Sequence, residues 1–231
     1  MKIGIILTPD VRSKSYIQKI ILHKIDIAEI IFMTDNRNEP QYSQQVIIES
    51  KKAGFDISKS VLDTLMEHNL KFTKFNFVNI NNAELVEYIS NTKVDYVIFT
   101  GGGILKKEIL NTGPKFIHLH PGLVPYYRGS TCFYYSIIKE NNSVVTAFIM
   151  DDHLDTGDVI YQKSFPKPNH QFIDEIFDPY IRSETLLDIF KKNLLEHDNF
   201  QKQSQTEGET YYIIHPVLKH IAILNCVQSN D

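Results

Sequence analysis

Phe116-Ile117-His118-Leu119-His120-Pro121-Gly122-Leu123-Val124-Pro125-Tyr126-Tyr127-Arg128-Gly129-Ser130 is the stretch on which the reading of this 231-residue chain turns. Its apolar opening, Lys115–Leu119, reads as a buried strand that delivers two histidines at its end. His118 and His120 are two residues apart, so a strand points both to the same side. Pro121, Gly122, Pro125 and Gly129 then punctuate a loop holding Tyr126, Tyr127 and Arg128. In an open α/β sheet, ligands sit outside the carboxyl ends of the strands, which is where this pair falls.

Outward from that stretch, the sheet takes shape on both sides. Toward the N-terminus, strand-like runs at Lys2–Leu7, Glu29–Met33, Phe72–Val78 and Tyr96–Thr100 alternate with helical patterns at Ser13–Ile27, Ser43–Ala53, Ser58–His68 and Asn82–Ser90. That alternation argues an open, mostly parallel α/β sheet. Toward the C-terminus, a helix at Thr131–Lys139 precedes Val144–Met150 and Val159–Phe165, two strands divided by a short polar turn and therefore an antiparallel hairpin. Glu184–His197 is an amphipathic helix, Asp198–Glu209 is polar without periodicity and reads as a mobile linker, and Pro216–Leu224 is a last helix with proline first. The expected fold is α/β: a Rossmann-like open, mostly parallel sheet flanked by helices, with an antiparallel hairpin in its C-terminal part. The expected organisation is a catalytic domain over 1–197 and a polar linker with a helix over 198–231, with no separate domain.

Composition excludes several classes. Hydrophobic residues at 42% and charged residues at 23% are globular values, which excludes general disorder. A net charge of −4 gives no bulk basic field for a nucleic acid. Cys132 and Cys226 are too few for a disulfide framework or a cysteine-rich zinc site. There is no signal-like segment at the start and no apolar run of membrane length, so a soluble cytoplasmic protein is expected, without a membrane partner.

A second cluster, Asp151-Asp152-His153-Leu154-Asp155-Thr156-Gly157-Asp158, occupies the hairpin turn and brings carboxylates toward the histidines. Gly101-Gly102-Gly103 ends the Tyr96–Thr100 strand, but Lys106 stands where a dinucleotide fingerprint needs its third glycine.

Together the two clusters resemble the folate-dependent formyltransferases, whose hallmark is Asn-x-His-Pro-Ser/Gly-Leu-Leu-Pro-x-Tyr-x-Gly followed later by Asp-x-Gly. This chain has His118-Leu119-His120-Pro121-Gly122-Leu123-Val124-Pro125-Tyr126-Tyr127-Arg128-Gly129, then Asp155-Thr156-Gly157. The resemblance implies that His120 and Asp155 are catalytic, with His118 in the family's asparagine position supplying one ring N–H in place of an amide. It implies N10-formyltetrahydrofolate as cofactor, held by Gly102, Gly103, Ile104, Leu105, Asp151 and Asp152, and an acceptor amine met by Tyr126, Tyr127 and Arg128.

Within that family, the turn Thr8-Pro9-Asp10-Val11-Arg12 lacks the glycines of a phosphate loop, which disfavours a glycinamide ribonucleotide acceptor. The short stretch after Phe165 and the acidic balance disfavour a tRNA acceptor. The expectation is a sugar N-formyltransferase acting on a nucleotide-linked amino sugar for surface glycan (lipopolysaccharide) synthesis, with Arg12 and Lys14 also available to a pyrophosphate and a homodimer compatible with the last helix. Two other classes stay open: a metal-dependent hydrolase using His118, His120, His153 and Asp155, and a binding protein on the same fold with altered catalysis.

Overall fold

The computed structural model describes residues 1–35, 38–101, 103–204 and 206–227. They form two compact units, residues 1–118 and the described residues from 119 onward.

The first unit is a parallel sheet with helical crossovers. Its strands are β1 (Ile3–Leu7), β2 (Glu29–Met33), β3 (Thr73–Phe75), β4 (Tyr96–Phe99) and β5 (Lys115–His120), the last running through the boundary. Their order is β3-β2-β1-β4-β5, every pair parallel. The chain moves one way from β1 to β3 and returns to the other side of β1 for β4, so the carboxyl ends of β1 and β4 flank the reversal point where such sheets open a crevice. The crossover helices are α1 (Val11–Leu22), α2 (Gln44–Lys52), α3 (Val61–Glu67), α4 (Ala83–Asn91) and the short α5 (Lys107–Leu110). Each longer helix starts where its sequence offers a cap: Asp10, Ser43, Ser60 and Asn82 accept backbone N–H groups of the first turn. On α1, Tyr16, Ile17 and Ile20 are buried, the helical spacing seen in the sequence.

The second unit holds β6 (Tyr127–Gly129), α6 (Cys132–Glu140), β7 (Asn142–Ile149), β8 (Val159–Pro166), a π turn at Ile173–Phe177, α7 (Asp178–Lys191), β9 (Glu209–Tyr211) and α8 (Pro216–Val227). β7 and β8 are the expected antiparallel hairpin, in register from Asn142↔Pro166 to Ala147↔Tyr161 with an irregularity after Ala147. The full strand order is β3-β2-β1-β4-β5-β7-β8, a mostly parallel seven-stranded sheet with the antiparallel pair at its C-terminal end.

Two sequence expectations need correcting. The helix expected from Glu184 already begins at Asp178, with proline in its first turn and the π turn leading into it. The linker expected at 198–209 is a strap held by backbone contacts. Gln201 exchanges N–H···O bonds with Val159, and Gln203 Nε2 donates to the Gly157 carbonyl at 2.6 Å. The strap ends in β9, which pairs in parallel with β6. Polar side chains gave no periodicity because backbone groups hold this segment, and they leave no pattern in sequence.

Candidate active site

His120 comes from the end of β5, an apolar strand in which Phe116, Ile117 and Leu119 are all buried. Its ring is 2% exposed, packed at 6.3 Å from that of Phe148. Nε2 lies 2.8 Å from the carbonyl oxygen of Tyr127, seven residues on, where the Pro121–Tyr126 loop turns back. A carbonyl only accepts, so Nε2 carries the hydrogen and donates it. Nδ1 is thereby left to face Asp155 Oδ2 at 3.4 Å. An imidazole held this way turns Nδ1 toward a carboxylate, whose charge favours a proton there.

Gly122 makes this possible. A Cβ there would lie 2.5 Å from His120 Nε2 and 2.6 Å from the Tyr127 oxygen, inside the hydrogen bond itself.

Asp155 is fixed as firmly. Its backbone is left-handed, with φ +53°, a conformation that costs a non-glycine residue about 1–2 kcal/mol. Its Oδ2 accepts the backbone N–H of Gly129 at 2.7 Å, which ties the hairpin turn to the histidine loop. Asp151 closes the turn from the other side, accepting from Thr156 Oγ1 at 2.7 Å and from the His153 N–H at 3.1 Å.

Burial pushes the His120 imidazole below its usual range, because a buried cation loses its hydration. Asp155 opposes that shift, as do the Tyr127 carbonyl and Asp178, while Arg182 reinforces it. Burial also pushes the Cys132 thiol, at the start of α6, up to about 12, so it is not a nucleophile beside the histidine.

The other sequence assignments fall as follows. His118 is on β5, two residues before His120 and half-buried. Tyr126 is exposed, but Tyr127 and Arg128 are turned inward and serve the loop. Tyr127 stacks on Tyr211 at 5.1 Å and donates its hydroxyl to Glu140 at 2.6 Å. Arg128 is buried and donates to the Ser204 carbonyl at 2.6 Å and the Glu207 carbonyl at 3.4 Å. In the first unit, Lys14 is buried too, with Nζ 3.0 Å from the Ile57 carbonyl and 2.7 Å from Glu39. Asp10 occupies the α1 N-terminus where a phosphate would sit, accepting the Ser13 N–H at 2.7 Å.

Gly102 lies outside the described residues, and Gly103 takes φ +111°. Ile104 is 79% exposed although apolar, its carbonyl held by Asn81 Nδ2 at 2.8 Å, while Leu105 is buried. Asp152 pairs with His153 at 2.9 Å in solvent. Of the four side chains in the alternative metal set, His118, His120 and Asp155 offer ligand atoms within 4.8 Å of one another, and His153 is not among them.

Sequence reasoning missed Arg182 and the strap residues. Leu123, Val124, Pro125 and Tyr126 of the motif loop, with Gln162 of β8 and Lys202 of the strap, border a cavity of about 370 Å³.

Residues 20–176 match the family model described as formyl transferase, and the chain belongs to that family. It is 30% identical over 217 residues to the methionyl-tRNA formyltransferase of Clostridium perfringens (strain SM101), an alignment covering 92% of this chain and 65% of that protein. The chain thus spans less than two thirds of that relative's length, and 44% of the enzyme of the same name from Clostridium tetani. Among solved structures, it is similar to a sugar N-formyltransferase from a Shewanella species, with TM-score 0.62, 18% identity, and coverage of 100% of this chain and 90% of that one. It is also similar to an N-formyltransferase from Helicobacter canadensis in complex with folinic acid and dTDP-3-aminofucose, with TM-score 0.64, 15% identity, and coverage of 98% and 80%. No helix among the described residues is long and apolar enough to cross a membrane.

Proposed function

We propose that this protein transfers a formyl group from N10-formyltetrahydrofolate to the amine of a small acceptor, a nucleotide-linked amino sugar, with the formamido sugar passing to surface-glycan synthesis. The observation that carries the reading is the His120–Asp155 pair, with Nε2 committed to the Tyr127 carbonyl and Nδ1 facing Asp155 Oδ2 at 3.4 Å. Attack by a neutral amine on a formamide carbon leaves an ammonium that must lose a proton, and a neutral imidazole is suited to take it. Asp155 steadies the imidazolium so formed, and His118 offers a ring N–H toward developing negative charge.

The cofactor supplies the activated formyl group. We assign Gly102, Gly103, Ile104, Leu105, Asp151 and Asp152 to it. The fit rests on Ile104, an apolar side chain held in solvent by a fixed backbone, which is the kind of surface a flat ring system covers. Tyr126 is our remaining aromatic contact for the acceptor, since Tyr127 and Arg128 are spent on the loop.

A second reading, a methionyl-tRNA acceptor, is favoured by the sequence relatives. Against it stands the acidic balance of this chain, since a tRNA backbone is gripped by lysine and arginine. Release of tetrahydrofolate, followed with a panel of nucleotide-linked amino sugars and with methionyl-tRNA side by side, separates the two. Turnover with an amino sugar alone is expected. Turnover with the tRNA alone would replace our acceptor, and turnover with neither would refute both.

The lowered His120 pKa sets the pH profile. The neutral ring is the base and persists below the ordinary midpoint of about 6.5, so the acidic limb of kcat/KM is expected to fall with a midpoint under that value. A limb centred above pH 7 would contradict it. Folding stability follows the same sign: the unfolded chain takes this proton first, so the contribution present above about pH 6.5 is lost as pH falls toward the folded value.

A further inference from the structure

Pairing of β5 with β4 ends at Phe99↔His118, so Leu119 and His120 run past that ladder. There the chain reaches the side chain of Arg182, from the second turn of α7. Its Nη1 donates to the Leu119 carbonyl, and its Nε donates to Asp178 Oδ1 at 2.7 Å. The residue is 6% exposed and Asp178 7%. A buried ion pair is a costly way to satisfy one carbonyl, because the desolvation of both charges offsets most of their attraction. A hydroxyl or amide donor would serve as well if satisfaction were all that was needed. A guanidinium adds planarity and two donors in fixed directions, one locked by the aspartate and the other aimed at the strand.

We infer that Arg182, locked by Asp178, is a positioning residue: it clamps the peptide that carries His120 and so sets where the imidazole meets Asp155. It touches neither substrate nor cofactor in this role. The peptide it grips lies between the two histidines of the motif, so a shift of that carbonyl moves the His120 ring against its two fixed neighbours, the Tyr127 oxygen and Asp155 Oδ2. The charged and titratable groups around the ring are Asp155 from the hairpin turn, Asp178 and Arg182 from α7, Cys132 from α6, and His118 two residues earlier on its own strand.

The inference rests on the formyl-transfer reading for its kinetic test, and a spectroscopic one stands apart from it. Arg182→Lys keeps the charge but, from a single nitrogen, cannot hold Asp178 and Leu119 in the same plane. With this variant kcat is expected to drop roughly 10–100-fold, the cost of a misplaced catalytic group, while KM for cofactor and acceptor stays within about threefold. In parallel, the Nε2–H resonance of His120, sharp in the native protein because it is donated to a buried carbonyl, is expected to broaden or move in ¹⁵N-edited spectra. Should Arg182→Lys fail to fold, the paired variant Asp178→Asn/Arg182→Met removes both buried charges together and is read in the same way. Native kcat and an unchanged Nε2–H signal in a folded variant would overturn the inference and leave Arg182 a stabilising residue only. A native protein without formyl transfer would sink the proposed function, yet the resonance would still decide the positioning role.

Discussion

His120→Asn is expected to lower kcat/KM for formyl transfer by about 10²–10⁴-fold, the range that a lost general base costs. The asparagine amide ends where Nδ1 lies and does not reach as far as Nε2, so the tie to the Tyr127 carbonyl is lost as well. It has no nitrogen that binds a proton near neutral pH, so the role of Nδ1 beside Asp155 disappears. The effect should fall on kcat with KM nearly unchanged, because the buried ring offers little surface to a ligand. Tetrahydrofolate release under saturating cofactor measures it. Activity retained within about fivefold would move the base to another residue.

Gly157→Ala is expected to damage stability and activity together. A Cβ at this position would lie 1.6 Å from the Ile149 carbonyl oxygen and 2.8 Å from its carbon. Both are backbone atoms at the end of β7, so no side chain can rotate away. Either the turn or the strand must move, and the turn carries Asp155. Overpacking of backbone against backbone belongs among the severe substitutions, about 2–4 kcal/mol. For a chain of this length that lowers Tm by roughly 4–16 °C. The shift also loosens the 2.7 Å bond from Gly129 to Asp155 and the 2.6 Å bond from Gln203 to the Gly157 carbonyl, so transfer should drop at least about 100-fold in the protein that remains folded. A thermal melt within a degree of the native protein, with native turnover, would show that the hairpin turn tolerates the displacement.

What the sequence made legible was local. The parallel direction of β1, β2 and β4 follows from apolar runs separated by capped helices, whereas the place of β4 beside β1 joins residues far apart in the chain. His120 and Asp155 stood out because both sit in short motifs with turn residues beside them, and those turns are what the structure uses to bring them together. Arg182 left no such trace. Asp178 and Arg182 precede the helix expected from Glu184, and only the Leu119 carbonyl, 63 residues away, gives the arginine its meaning. Tyr127 and Arg128 show the converse. Polar side chains in a loop suggest a ligand, yet here they are consumed by Glu140 and by the strap, partners whose place in the chain is remote.

The strap itself carries an entropic consequence. Arg128 and Ser204 are 76 residues apart, and their contact closes all of the intervening chain into one ring. Closing a ring of that size costs about 4 kcal/mol in chain freedom by the logarithmic law, most of it incurred by the first few tens of residues. Doubling the ring adds only about 0.6 kcal/mol more. The segment between α6 and the strap can therefore lengthen by whole elements while the loop that holds His120 stays almost equally well tied. The fold can vary its C-terminal half widely without loosening the one nitrogen on which the chemistry depends.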